Sequence, residues 1–169
     1  MPRFVLDHNF PYTATGIRWP PTITLTPLQE YDRRLVREHE DWQVLTELAR
    51  RGDVGGYITN DTNDARMLNL PTEMVALARS RLILVVTDET GDDPLAATGL
   101  LMAYLPEIAV RERGNRHAQL DRLRPLDLGR QRDDVQKILR ELADRHYAHV
   151  DQMIAREWTK IEAWTSLTR

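Results

Sequence analysis

Short apolar runs alternate with stretches of helical periodicity over about the first 110 residues of the chain. The runs predict strands at residues 3–6, 22–26, 57–59 and 81–87, and the periodic stretches predict helices at 41–51, 64–70, 72–80 and 93–104. Strands that alternate with helices form a largely parallel sheet with helices packed on its faces. The pattern therefore predicts an α/β protein with a mostly parallel central sheet.

The pattern changes near Arg111. Residues 112–129 are charged and contain Pro125 and two glycines, which predicts a linker or irregular arm. From residue 133 to 165 apolar residues recur at helical spacing without a proline or glycine, which predicts one long helix. We therefore predict a globular domain at 1–110, a linker or arm at 111–132 and a long C-terminal helix at 133–169.

The predicted C-terminal helix has consequences for assembly. A straight helix of about 33 residues would be roughly 50 Å long, which is more than a domain of this size needs. Its apolar stripe has to be covered, because exposed apolar patches of that size are rare on monomers. We expect it to pair with a second copy of the chain, giving a homodimer, or with a protein partner. The alternative is a helix that lies wholly on its own domain.

Aspartates follow three of the predicted strands, as Asp7, Asp61 and Asp88. Active sites of parallel sheets form at the carboxyl ends of the strands, and Asp41 and Asp64 are expected near the same edge. Like charges held that close repel one another unless a cation neutralises them, and Mg²⁺ and Mn²⁺ prefer such oxygen ligands. A lone aspartate after a strand is more often a cap or turn residue. Asp7 and Asp61 together favour a metal site, with all five acids as candidate ligands.

Two segments carry a resemblance to a known family. The opening FVLDHNFP resembles the LLDENLP opening of the PIN-like group that includes Mut7-C and toxin-type PIN-like proteins. The stretch DWQVLTELARRGDVGGYITNDTND is similar to that group's acid-led helix, glycine and strand ending in T-x-D. The order and spacing match across roughly residues 3–110. The resemblance implies a three-layer PIN-like fold with a mostly parallel sheet, followed here by a C-terminal helical extension.

The same resemblance implies a metal-dependent endoribonuclease, as in the toxin of a toxin–antitoxin pair, with RNA as substrate and an antitoxin as a possible partner. It implies that Asp7 and Asp61 hold Mg²⁺ or Mn²⁺. It matches the acid at the start of the intervening helix to Asp41, and makes Asp64 a further ligand or a residue behind the ligands. The chain departs from the group's pattern at His8, where an acid is usual, and at Asn60, where a basic residue is often seen.

Charge and composition limit the other functions. Residues 1–110 hold 10 basic and 16 acidic side chains, and residues 111–169 hold 13 basic and 10 acidic ones. An acidic N-terminal part and a basic C-terminal part fit an enzyme that binds cations and contacts a polyanion. Two ordinary solvated surfaces would give the same charge distribution. No glycine-rich phosphate loop or Gly-x-Ser-x-Gly elbow is present. The alternative function is a catalytically inactive PIN-like protein that binds or assembles through its C-terminal helix.

Two further expectations concern location. The chain has no cysteine, so disulfides and thiolate metal sites are excluded, and the cytoplasm is the simplest compartment. No apolar run approaches the roughly 18 residues that a membrane-spanning helix requires.

Overall fold

A computed structural model describes residues 3–60, 70–88, 90, 93–112, 117–125, 129–147 and 149–168. The strands are β1 (Arg3–Leu6), β2 (Thr24–Pro27), β3 (Gly56–Thr59), β4 (Ile83–Thr87), β5 (Gln119–Leu123) and β6 (Arg130–Asp133). The helices are α1 (Leu28–Tyr31), α2 (Arg33–Glu38), α3 (Asp41–Arg51), α4 (Pro71–Arg79), α5 (Pro94–Glu112), α6 (Val135–His146) and α7 (Val150–Leu167). Residues 64–69 of the helix predicted at 64–70 lie outside the described residues, and Leu70 is extended before α4.

The six strands form one sheet in the order β2-β1-β3-β4-β5-β6. The pairs from β2 to β5 are parallel, and β6 is antiparallel to β5. In register, Leu6 of β1 lies beside Ile58, and Thr59 of β3 lies beside Val86. The carboxyl ends of the central strands therefore reach the same edge of the sheet. The α/β class and the mostly parallel sheet predicted from sequence are confirmed.

Helices cover both faces of the sheet. Successive side chains of a strand point to opposite faces, and the two apolar clusters follow that rule. Val5, Tyr57 and Leu84 pack into one cluster with α3, α4, α6 and α7. Phe4 and Ile58 pack into the other cluster with α5 and the loop after β1. The result is a three-layer arrangement of helices, sheet and helix.

The helix predicted at 41–51 is present. Its N-cap is Glu40, which forms a reciprocal capping box with Gln43. The backbone N–H of Glu40 donates to Oε1 of Gln43 at 2.7 Å. Gly52 ends the helix in the left-handed conformation, at φ 71°, as a glycine does most easily.

The segment predicted as a linker differs most from expectation. It contributes β5 and most of β6 to the sheet, and α5 continues to Glu112, beyond the predicted end near residue 104. Leu120 and Leu123 of β5 are fully buried, each in a different apolar cluster. Asp121 between them is also fully buried, within 4 Å of guanidinium groups from α5 and β6. The segment was predicted to be a linker because it is rich in charged residues. In the structure these charged residues pair with one another within the fold.

The prediction of one continuous C-terminal helix was wrong. The first helix, α6, ends at His146, and the backbone of Tyr147 is extended at φ −144° and ψ 156°. A second helix, α7, begins at Val150. Both helices pack against α4, so the break lets each half bury its own stripe, which one straight rod could not do. Leu142 of α6 and Met153 of α7 are completely buried. The domain itself buries Met153 and Ile161 of the stripe and partly covers Trp158 and Trp164, and the homodimer expected from the stripe stays a prediction.

Candidate active site

The Asp7 carboxylate lies directly after β1 and is only 6% exposed. Its Oδ1 accepts hydrogen bonds from the backbone N–H of His8 at 2.6 Å, from Nδ1 of His8 at 2.8 Å and from the hydroxyl of Tyr57 at 2.9 Å. Its Oδ2 accepts from the hydroxyl of Thr59 at 3.1 Å. Both oxygens are therefore fixed by the first turn after β1 and by the neighbouring strand.

The sheet explains why these donors meet Asp7. Tyr57 and Thr59 are two residues apart on β3, so their side chains lie on the same face. The backbone N–H of Asp7 donates to the carbonyl of Ile58 at 2.8 Å, which extends the pairing of β1 with β3 beyond the last residue of β1. This pairing brings the Asp7 carboxylate level with the end of β3.

Asp7 also lies where the strand order reverses. The chain leaves β1 over one face of the sheet towards β2, and Phe10 and Ala14 of that connection pack on that face. The first described helix after β3, α4, lies on the opposite face. Connections that diverge in this way leave a crevice at the carboxyl ends of the two strands, which is where open α/β sheets bind ligands.

The electrostatic setting of Asp7 is unusual for a buried acid. Among the described residues its only ion-pair partner is His8, whose side chain is 45% exposed. Burying a carboxylate is costly unless hydrogen bonds or an opposite charge compensate for it. Here hydroxyl, imidazole and backbone donors supply the compensation, and no described arginine or lysine forms an ion pair with Asp7. A cation bound at this position would therefore meet a carboxylate whose charge no described arginine or lysine neutralises.

Asp88, directly after β4, has a different environment. Its Oδ2 lies 3.9 Å from Nη1 of Arg122 and 3.9 Å from Nε of Arg124. Its backbone N–H donates to the carbonyl of Leu123 at 2.7 Å, which ties the end of β4 to the end of β5. Because β3 separates β1 from β4, Asp7 and Asp88 are roughly 10 Å apart across the sheet. The two acids occupy separate positions along the edge.

Asp41 lies at the amino end of α3, and α3 packs beside α4. Its negative charge is one of the influences that raise the pKa of Glu73 on α4, to about 7. The main cause of that raised pKa is burial, since Glu73 is 5% exposed, and the ammonium group of Lys160 acts in the opposite direction. Sequence reasoning missed Glu73, because an acid in the first turn of a helix is ordinarily explained by the helix dipole.

Lys160 reaches this acidic group from α7. Its Nζ lies 5.2 Å from the centre of the Trp42 ring and 3.5 Å from the hydroxyl of Thr72. On the same helix, Glu157 accepts hydrogen bonds from the hydroxyls of Thr72 and Tyr147, each at 2.6 Å. The C-terminal helix is thus anchored by polar contacts to the amino ends of α3 and α4.

Two of the predicted ligands, Asp61 and Asp64, lie outside the described residues. In the part of the chain that the structure describes, no group of three or more histidine and acidic side chains has the arrangement of a metal site. The donor chemistry nevertheless suits a hard cation, because Asp7 and its neighbour Thr59 present oxygen atoms. Thr59, which donates to Asp7, stands two positions before Asp61 in the sequence.

No known family, characterised protein or solved structure matches the chain. No helix within the described ranges is both long and apolar enough to cross a membrane.

Proposed function

We propose that the chain is a PIN-like endoribonuclease that depends on Mg²⁺ or Mn²⁺ and has its catalytic centre at Asp7. The observation that carries this proposal is the buried Asp7 carboxylate at the carboxyl end of β1. It accepts four hydrogen bonds from described residues and forms no ion pair there with an arginine or lysine. Its position at the reversal of strand order is the usual ligand site of such sheets.

The residues around Asp7 have distinct tasks in this proposal. Tyr57 and Thr59 hold the carboxylate in one orientation, and their rigidity comes from β3, whose residues are all buried. The half-exposed His8 closes one side of the carboxylate by bonding Oδ1. Together they prevent Asp7 from turning away when the site is empty, so little reorganisation is needed on binding.

Asp7 and Asp61 would hold the cation, and Asp41 and Asp64 remain candidate further ligands. A bound divalent cation would supply an activated water molecule and would neutralise charge on the phosphoryl oxygens. Asp88 fits this role less well, because a cation there would be repelled by two guanidinium groups. The cytoplasmic location is part of the proposal because the chain has no cysteine, and the antitoxin partner is part of it through the family resemblance.

A cleavage assay with matched variants tests the proposal. The full chain is stripped of metal with EDTA and incubated with a mixed pool of end-labelled RNAs, with and without Mg²⁺ or Mn²⁺. We expect cleavage only with added metal, its loss in Asp7→Asn and its retention in Asp144→Asn, which makes the same change at an exposed position on α6. Cleavage that persists in EDTA, or in Asp7→Asn, contradicts the proposal. An RNA-binding chain that never cleaves would favour the inactive binding protein.

A further inference from the structure

A cavity opens in the layer of helices α3, α4 and α7, and the candidate active site does not use it. Its volume is about 520 Å³, which is within the size range of small-molecule pockets. Its walls come from the carboxyl-terminal parts of α3 and α4 and from α7. Because α3 leads into β3 and α4 leads into β4, these helix ends lie near the edge of the sheet where the strands begin. The cavity is therefore remote from Asp7, which lies at the opposite edge.

Trp158 and Arg79 both line this cavity, and they are stacked on each other. The Trp158 ring is partly buried against the larger apolar cluster, and Cζ of Arg79 lies 5.3 Å from the ring centroid. Arg79 is exposed at the end of α4, and no described carboxylate forms an ion pair with it. Planar bases stack both on aromatic rings and on guanidinium planes. This wall of the cavity therefore suits a planar ring.

The other wall presents hydrogen-bond acceptors. The hydroxyls of Thr46, Thr165 and Ser166 each donate to a backbone carbonyl of their own helix, at 2.7–2.9 Å. Their protons are committed, so their oxygens are available to a ligand only as acceptors. Oε1 of Glu162 accepts from Nε1 of Trp158 at 2.8 Å, and its Oε2 has no described partner. A ligand that fits this wall has to donate hydrogen bonds.

A planar ring with N–H groups satisfies both walls. Arg50 adds no uncompensated charge, because its guanidinium pairs twice with the Glu47 carboxylate, at 2.8 and 2.7 Å. A nucleobase offers a face that stacks with Trp158 and Arg79, and its N–H groups can donate to a carboxylate such as that of Glu162. An apolar ring would leave the acceptors without a donor, and a lone phosphate would be repelled by Glu162.

We propose that the cavity between α3, α4 and α7 binds a nucleobase, which stacks with Trp158 and Arg79 and donates to Glu162. The base can belong to a free nucleotide or to an RNA strand, since the chemistry of recognition is the same. The cavity lies at the opposite edge of the sheet from Asp7, so the bound base does not belong to the nucleotide that is cleaved under the proposed function. Binding here does not require cleavage.

Nucleoside binding by the full-length protein tests the site. Isothermal titration in EDTA measures Kd for adenosine, guanosine, cytidine, uridine and an RNA tetranucleotide. We expect the parent to bind nucleosides with an exocyclic amino group at a Kd of about 0.1–1 mM, and uridine more weakly. Arg79→Ala and Glu162→Gln should each raise Kd about five- to tenfold. Arg140→Ala and Glu141→Gln make the same changes at exposed positions on α6, and should stay within twofold.

Each result supports or refutes the site. The site is refuted if the parent binds neither nucleosides nor the tetranucleotide at millimolar concentration. It is also refuted if Arg79→Ala or Glu162→Gln, shown to be folded by circular dichroism, binds as tightly as its control. Equal affinity for a nucleoside and the tetranucleotide would assign the cavity to a free nucleotide, and tighter binding of the tetranucleotide would assign it to an RNA strand.

The same measurements keep this site separate from the proposed catalytic centre. Asp7→Asn should bind nucleosides with the parental Kd, because Asp7 lies at the other edge of the sheet. Nucleoside binding together with continued cleavage by Asp7→Asn would support the nucleobase site and reject the catalytic role of Asp7. Metal-dependent cleavage without nucleoside binding would do the reverse.

Discussion

The hydroxyl of Tyr57 donates to Oδ1 of Asp7 at 2.9 Å, across the pair of central strands β1 and β3. The ring of Tyr57 is fully buried in the larger apolar cluster, so its hydroxyl has a fixed position. One residue thus links the packing of the core to the orientation of the carboxylate proposed to bind metal.

Replacing that tyrosine tests the link. Tyr57→Phe keeps the buried ring and removes one donor to a buried carboxylate, so we expect the free energy of unfolding to fall by about 1–3 kcal/mol. Cleavage should fall several-fold, since Asp7 is less firmly oriented. Urea unfolding and the cleavage rate measure the two effects. Tyr12→Phe, at an exposed position, is the control and should change neither.

Metal binding should be visible without any reaction. A ligand that binds only the folded state raises its stability, so we expect Mg²⁺ or Mn²⁺ to raise the melting temperature of the parent by several degrees. Asp7→Asn should abolish that shift. The variant should still fold, because the asparagine carbonyl can replace Oδ1 and the hydroxyl of Thr59 can turn to accept from the amide. An equal shift in both proteins would place the metal elsewhere.

Stability should depend on pH through Glu73. Burial raises the pKa of this carboxyl from its ordinary 4.5 to about 7 in the folded chain. As pH rises from about 4.5 to 7, the unfolded chain loses this proton before the folded chain does, so the free energy of unfolding falls across that window. Glu73→Gln should remove the decline, leaving stability unchanged near pH 4 and about 3 kcal/mol higher at pH 8.

Urea unfolding at several pH values measures this effect. Glu30→Gln is the control, because Glu30 is exposed on α1. If the free energy of unfolding of Glu73→Gln still falls between pH 4.5 and 7 as in the parent, another titrating group causes the fall.

The close approach of strands at Gly56 gives a prediction about packing. A Cβ at Gly56 would lie 2.6 Å from the ring of Phe4 and 2.7 Å from the carbonyl oxygen of Ile83. The ring and the neighbouring backbone cannot both move aside in a packed sheet, so Gly56→Ala should destabilise the chain by about 1–3 kcal/mol or more. Thermal unfolding measures the loss. Gly99→Ala, on α5 with open space around the added carbon, should be tolerated.

The sequence predicted the parts of the fold where local pattern and burial agree. The run before Asp7 and the LILVV run are apolar because both faces of those strands are covered, and the structure confirms them. β5 was missed because Asp121 is buried among arginines of the neighbouring elements α5 and β6, and a buried charge looks like a surface residue in the sequence. The break at Tyr147 was missed because helical periodicity continues through it, and only packing on α4 requires the turn.

The candidate site was predicted only in part. Asp7 and Asp88 each follow a predicted strand, so the sequence alone places both at the carboxyl edge of the sheet. It does not give their partners, since Tyr57 and Arg124 reach these acids through strand pairing between distant parts of the chain. The sequence also does not predict the raised pKa of Glu73. That pKa is raised by burial, and an acid in the first turn of a helix is ordinarily exposed.

The packing of α6 and α7 on α4 has a consequence for how the protein is made. During translation, Met74 and Leu77 of α4 emerge from the ribosome well before the two helices that cover them. Until α7 has been synthesised, this face of the domain stays open to chaperones and proteases. A chain that stops near residue 110 would keep this face of α4 permanently uncovered.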